Sequence, residues 1–195
     1  MDLFQSIQSN GGKPEAGKVL ISEPFLYDSN FKRSVILLCE HDHENGSLGF
    51  ILNRKLDITL TDVMEIDTQM KIELYFGGPV QSNTLHYLHT DTEHTKESID
   101  MGNGIYWGGN FEELVPLMEM GTLDLEKYRF YLGYSGWGKG QLDDEIAIKS
   151  WVVAQAAHNM VFGPKTNGVL WKDTLKQLGG SYTVLSNFPE NPFLN

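Results

Sequence analysis

Tyr128-Arg129-Phe130-Tyr131-Leu132-Gly133-Tyr134-Ser135-Gly136-Trp137-Gly138-Lys139-Gly140-Gln141-Leu142-Asp143-Asp144-Glu145-Ile146 is the stretch on which the fold turns. Its first five residues read as an apolar strand. Four glycines, a tryptophan and a lysine follow over 133–140. From Leu142 the sequence turns helical: Leu142 and Ile146 are one turn apart, acidic residues crowd the start, and Glu145–Lys149 is a favourable i,i+4 pair. A strand, a glycine-rich loop and a helix in succession often hold an anion or build an active site. Ser135 to Gln141 is therefore the first place to look for function.

Two catalytic patterns fit this loop incompletely. Gly133, Gly138 and Lys139 match a phosphate-binding loop, but Gly140 stands where a magnesium-ligating Ser or Thr belongs, and Asp143, Asp144 and Glu145 would repel phosphate. Gly133-Tyr134-Ser135-Gly136-Trp137 approaches a nucleophile elbow, with Trp137 in the final glycine position. A hydrolase on that plan would pair Ser135 with His158, the one histidine that follows it. The plainer reading is a structural glycine turn that packs Trp137 against a sheet, with Ser135 bonded to backbone.

Working outward, Lys18–Ser22 reads as a first strand and Ser34–Glu40 as a buried second one. Asn45-Gly46 marks a tight turn, and Leu48–Asn53 returns as the other arm of a hairpin. Thr59–Ile66 suits a short helix, Ile72–Phe76 a strand closed by Gly77-Gly78-Pro79, and Thr84–His89 and Ile105–Trp107 two more strands. Residues 91–98 read as an exposed loop. Asn110 caps a helix through Leu114, Leu117 and Met118 that Pro116 would kink and Gly121 would stop. Trp151–Ala154 is a last strand or buried turn, and Lys165–Leu178 a final helix ended by Gly179-Gly180. Phe188 and the residues after it read as an irregular tail whose apolar side chains dock on the body. Strands lead, helices interleave unevenly and hairpins connect, which is an α+β fold with a mixed, mostly antiparallel sheet. Residues 1–12 read as a tail and 13–195 as one domain.

Composition supports that reading. The 195 residues include 20 glycines, where average usage would give roughly 14, as tight turns require. A net charge of −11 argues against a broad phosphate-binding surface and so against direct nucleic-acid binding. Trp107, Trp137, Trp151 and Trp171 lack interleaved basic residues and read as core rather than base-stacking platforms. A single cysteine, Cys39, the lack of a signal-like start and the lack of a membrane-length apolar run point to the cytoplasm and to no membrane partner.

Two groups of histidines could be considered for metal binding. Cys39, His41 and His43 alternate, which in an unbroken strand puts all three on one face. His86, His89 and His94 are a second group. Neither has a strong zinc spacing, and exposed loop histidines are the expectation. No cofactor and no metal are expected.

Gly17–Ser22, Pro24, Asp28, Phe31, Arg33-Ser34-Val35, Gly49–Arg54, Gly77–Val80, Gly136–Ile146 and Asn191–Asn195 together resemble the AlgH/YqgE family of bacterial proteins. The match runs from about residue 14 to the end; Lys139 stands where the family often carries proline. The resemblance implies a branched sheet folded into a pseudo-barrel with flanking helices, in a cytosolic protein. It also brings the label of a transcriptional regulator of exopolysaccharide genes, without a DNA-binding motif. The sequence thus leads to a non-enzymatic module that binds a protein or a small ligand, with an indirect regulatory role. Its expected ligand-binding residues are Ser135, Gly136, Trp137, Gly140 and Gln141, with Asn53 and Gly78 as neighbours. A hydrolase using Ser135 and His158 is the alternative.

Overall fold

The computed structural model describes residues 12–163 and 169–189. The expected tail over 1–12 (all but its last residue), the start of the helix expected from Lys165 and the Asn191–Asn195 motif lie outside them.

Among the described residues, ten strands and five helices form the fold. β1 (Lys18–Ser22), β2 (Val35–Asp42), β3 (Gly46–Ile51) and β10 (Trp151–Gln155) form one wing, paired antiparallel in the order β10-β1-β2-β3. The other wing holds β4 (Lys55–Thr59), β5 (Glu73–Phe76), β6 (Val80–His89) and two short strands, β7 (Ile99–Asp100) and β8 (Tyr106–Trp107). The long β9, Tyr128–Trp137, joins the two.

Residues 133–137 are not a loop: the strand that begins at Tyr128 runs on through Trp137. One edge of β9 pairs with β6 from Tyr128 to Tyr134. Its other edge changes partner, being parallel to β5 at Phe130–Leu132 and antiparallel to β3 at Ser135–Trp137. The sheet therefore branches at Gly133. It is mostly antiparallel, with β5–β9 the parallel pair, and it runs open from β10 to β7 rather than closing into a barrel.

Glycine makes the branch possible. A β-carbon on Gly77 would lie 2.1 Å from the Gly133 carbonyl oxygen, and one on Gly78 would lie 2.2 Å from the Tyr134 carbonyl carbon. Gly133 itself takes φ +65 and faces the Gly78 oxygen. Three backbones meet where no side chain fits, so the two glycine motifs are one structural joint. The Gly77 carbonyl accepts the Ile51 amide at 3.0 Å, and the Gly77 amide donates to Leu132 at 2.8 Å, which ties β3, β5 and β9 together.

Side-chain alternation fills two layers. One face of the first wing buries Leu20, Ile36, Leu38, Ile51, Trp137 and Trp151 beneath α2 (Gln141–Ala147) and its Leu142. The other buries Val19, Val35, Leu37, Phe50 and Tyr131 beneath α3 (His158–Phe162), α4 (Val169–Leu178) and α5 (Gly180–Leu185). Trp171 of α4 is fully buried and donates its indole N–H to the Ser22 carbonyl at 2.9 Å. The second wing has its own core of Leu74, Tyr87, Leu114, Met118 and Phe130 under α1 (Val115–Glu119).

Local differences have local causes. The helix expected from Asn110 is split into a 3₁₀ turn, Phe111–Glu113, and α1, with Pro116 in the first turn of α1, where its missing N–H breaks no bond. The helix expected from Thr59 is a single 3₁₀ turn, Leu60–Asp62, closed by the Asp62 carboxylate on the Thr59 amide at 2.7 Å. Gly179-Gly180 ends α4 but α5 begins at once, so these glycines are an elbow between helices. Residues 91–98 are not simply exposed, since Asp91 and Thr95 are buried. Phe188 does dock, edge-on to Phe25 at 5.1 Å.

The joint has a direct stability test. Gly77→Ala forces a β-carbon into backbone and should cost about 3 kcal/mol in denaturant unfolding. Gly121→Ala, at φ +68 with open space around it, should cost about 1 kcal/mol.

Candidate functional site

The site expected around β9 divides into structural and surface parts. Ser135 is fully buried, and its hydroxyl donates to the Gly77 carbonyl at 3.0 Å. Gly78 packs directly against the Tyr134–Ser135 peptide. Asn53 lies beyond the far end of β3, where its side chain accepts the Val35 amide and donates to the Arg33 carbonyl, both at 2.9 Å. That pair of bonds holds Arg33 at φ +51 and joins the two chain segments; Asn53 does not approach the surface near Gly136.

The hydrolase pairing is not assembled. Ser135 alternates with Trp137 and so faces the α2 side of the sheet. His158 starts α3, whose Met160 and Val161 pack on the opposite face, and its ring lies against Phe162 at 5.0 Å. The phosphate-loop reading fails because its groups are already engaged. The Gly138 amide donates to Gln141 Oε1 at 3.0 Å, the Gly140 amide to the His43 carbonyl at 3.1 Å, and Lys139 pairs with Glu44.

Trp137 is a core residue, 5% exposed, stacked on Phe31 and edge-on to Trp151. One carboxylate organises this cluster. Glu145 Oε2 accepts the indole N–H of Trp137 at 2.9 Å and that of Trp151 at 2.7 Å, while Oε1 accepts from the Gln141 amide at 2.8 Å. Gly140, at φ +68, caps α2 and brings it against the β2–β3 hairpin. Gln141 and Gly140 thus fasten α2 rather than face a ligand.

The hairpin carries the histidines. A β-bulge between Leu38 and Glu40 breaks the alternation, so Cys39 and His41 fall on opposite faces. Cys39 is buried in the large core, where burial pushes its thiol well up from the ordinary value. His41 instead meets Ser47 Oγ at 2.8 Å and approaches Asp143. His43 is exposed and bonds Asp143 Oδ2 at 2.8 Å, which raises its pKa. His89, at the end of the strand expected over Thr84–His89, is fully buried between Tyr106 and Tyr128, with ring nitrogens held by Thr95 and the Gly108 carbonyl; burial lowers its pKa. Among the described residues, no three His, Cys, Asp or Glu side chains group as metal ligands.

What remains open is a cleft of about 700 Å³ at the hairpin end of the sheet, lined by Leu48, Val80, Tyr134, Gly136 and Trp137 and rimmed by Glu40 and Asp42. Gly136 makes it. Leu48 pairs with Gly136 across the ladder, and a β-carbon there would point at the Tyr134 ring and Val80, 3.2 and 3.4 Å away. The missing side chain is the floor. The Asp42 carboxylate accepts the Glu44 and Asn45 amides through Oδ1, which fixes it at the rim and lowers its pKa. Of the residues expected to bind a ligand, Gly136 and Trp137 line this cleft. Sequence reasoning missed Leu48, Val80 and Tyr134, because only the pairing of β3, β6 and β9 brings them together.

Replacing the organising carboxylate should be costly. Glu145→Ala leaves two buried indole N–H groups without an acceptor and is expected to destabilise by about 2–4 kcal/mol, with Glu145→Gln milder. Chemical denaturation of both variants measures this, and a cost below about 0.5 kcal/mol for the alanine would contradict the assignment.

Several known proteins are similar to this chain. A UPF0301 protein of Cytophaga hutchinsonii is 44% identical over 180 residues, covering 92% of this chain and 98% of the relative. Another, from Bacteroides fragilis, is 40% identical over 195 residues, covering all of this chain and 97% of the relative. The crystal structure of protein DIP2367 from Corynebacterium diphtheriae superposes with a TM-score of 0.74 at 25% identity, covering 95% of this chain and 97% of that one. The solution structure of the AlgH protein from Pseudomonas aeruginosa gives 0.69 at 24% identity, covering 93% and 98%. Among the described residues no helix is long and apolar enough to cross a membrane. With a family model described as AlgH-like matching residues 19–183, the chain belongs to the AlgH-like family.

Proposed function

We propose that this protein is a non-enzymatic binding module whose ligand seats in the cleft above Gly136. The observation that carries the reading is the gap in the side-chain layer at that glycine. An open hollow walled by Leu48, Val80 and Tyr134 sits beside a tightly packed joint. An apolar floor with two carboxylates at its rim suits a compact apolar ligand that bears a cationic group, free or as a side chain of a partner protein. Lack of catalysis is supported by the state of the reactive groups nearby: the Ser135 hydroxyl, the Gly138 and Gly140 amides and Lys139 all have structural partners. A regulatory role would then be indirect, exerted through whatever the cleft holds. We assign the protein to the cytoplasm, on its single, buried thiol.

Fragment screening by amide chemical shifts tests this. Amine-bearing aromatic fragments should perturb Ser47, Leu48, Val80, Tyr134 and Gly136 together. Gly136→Val, whose β-carbon would meet only the Tyr134 and Val80 side chains, should keep the fold within about 1–2 kcal/mol and abolish those shifts. Fragments that bind the folded variant equally well would remove the cleft from the account.

A further inference from the structure

A second surface, on the opposite wing, has the geometry of an incomplete sheet. β8 pairs with β6 only at Leu88 and His89. The last rung is the Gly108 amide on the Tyr87 carbonyl at 3.0 Å. Gly108 and Gly109, at φ +69 and +111, then turn the chain away toward Asn110. Backbone groups of a strand alternate between its edges, so Leu85 presents its amide and carbonyl on the same edge as Tyr87, two residues further along. Its other edge is paired with β9, at Leu132. Between Val80 and Leu85 the ladder with β9 shifts register, and Gln81 takes φ +45, which ends the regular edge on the far side. Among the described residues, Thr84–His86 thus have no neighbour strand on this edge.

Beside this edge runs a groove of about 480 Å³, lined by Leu85, Tyr87, Trp107 and Phe111 with Met64 and Ile99 at its mouth. Ile99 is 50% exposed and Met64 37%. Natural sheets commonly cover or charge such an edge. Here one carboxylate, Glu97, held at φ +63, lines the groove; burial and, after it, the nearby Glu113 raise the pKa of Tyr87, and Glu112 precedes Glu113 in the chain beside the lining residue Phe111, with Lys96 as the neighbouring cation in sequence.

We propose that the β6 edge and this groove bind an extended segment of a partner protein by strand addition. The segment continues the ladder that β8 leaves at Tyr87, its backbone bonds meeting Leu85. Its apolar side chains enter the groove and its Lys or Arg side chains meet the acidic rim. This surface is separate from the cleft above Gly136, and either assignment can fail alone.

Heptapeptides alternating Lys with Val, Leu or Phe are the probes, titrated at up to about 1 mM with amide chemical shifts and calorimetry as readouts. Binding should perturb Leu85, Tyr87, Ile99, Trp107 and Gly108. It should weaken at least tenfold when alternate peptide amides are N-methylated, when Glu replaces Lys in the peptide, and in Ile99→Lys. Leu85→Pro removes the edge donor and should weaken it similarly; thermal melts establish that each variant remains folded. Gly136→Val should bind the peptides unchanged. The proposal is overturned if no peptide binds, if N-methylation makes no difference, or if the shifts fall elsewhere. It is also overturned if sedimentation shows a dimer that the peptides dissociate, since a second copy of the chain would then be the occupant.

Discussion

Everything in this fold depends on three backbones approaching one another closely at Gly77, Gly78 and Gly133. At that joint the long strand β9 exchanges β5 for β3 along one edge, and the two wings become one sheet. The approach is too close for any β-carbon, with contacts near 2.1–2.6 Å to carbonyl atoms. Hydrogen bonds alone do not impose this geometry, because each could form in a flat sheet. The absence of side chains permits the branch, and the bonds through Gly77 then fix it.

From that constraint the surface features follow. Since β9 continues as a strand past Gly133, alternation sends Ser135 and Trp137 to the α2 side and Tyr134 and Gly136 to the other. Trp137 becomes the centre of an aromatic cluster whose indole N–H groups, with that of Trp151, converge on Glu145. Gly136 becomes the hollow in a surface otherwise walled by Leu48, Val80 and Tyr134. One tetrapeptide, Ser135-Gly136-Trp137-Gly138, thus serves core and cleft at once, through opposite faces of the same strand.

Much of the architecture was legible in the residues. The apolar runs at Lys18–Ser22 and Val35–Cys39, the Asn45-Gly46 turn and the acidic start of α2 report local forces, and they appear where expected. The glycine-dense stretch misled because local reasoning assigns glycine to loops. Its actual use, close approach between distant segments, is visible only once residues 77 and 133 meet. The Cys39–His41 alternation failed through a single bulge, which periodicity cannot register. β4 and β7 escaped notice because one is an exposed edge strand and the other has two residues. Of the residues expected to form the site, Gly136 lies on the cleft floor and Trp137 backs it. Ser135, Gly78 and Asn53 hold the sheet, and Gly140 and Gln141 hold α2 to the hairpin.

The measurement that bears most directly on this account is native-state hydrogen exchange across β9. A continuous central strand, paired on both edges through the joint, requires the amides from Phe130 to Ser135 to open only near the global unfolding free energy. Gly133 and Ser135 should exchange as slowly as Leu37 and Ile51. Fast, locally governed exchange at Gly133–Gly136, with the flanking strands still protected, would show a mobile loop there and contradict the joint on which the whole description rests.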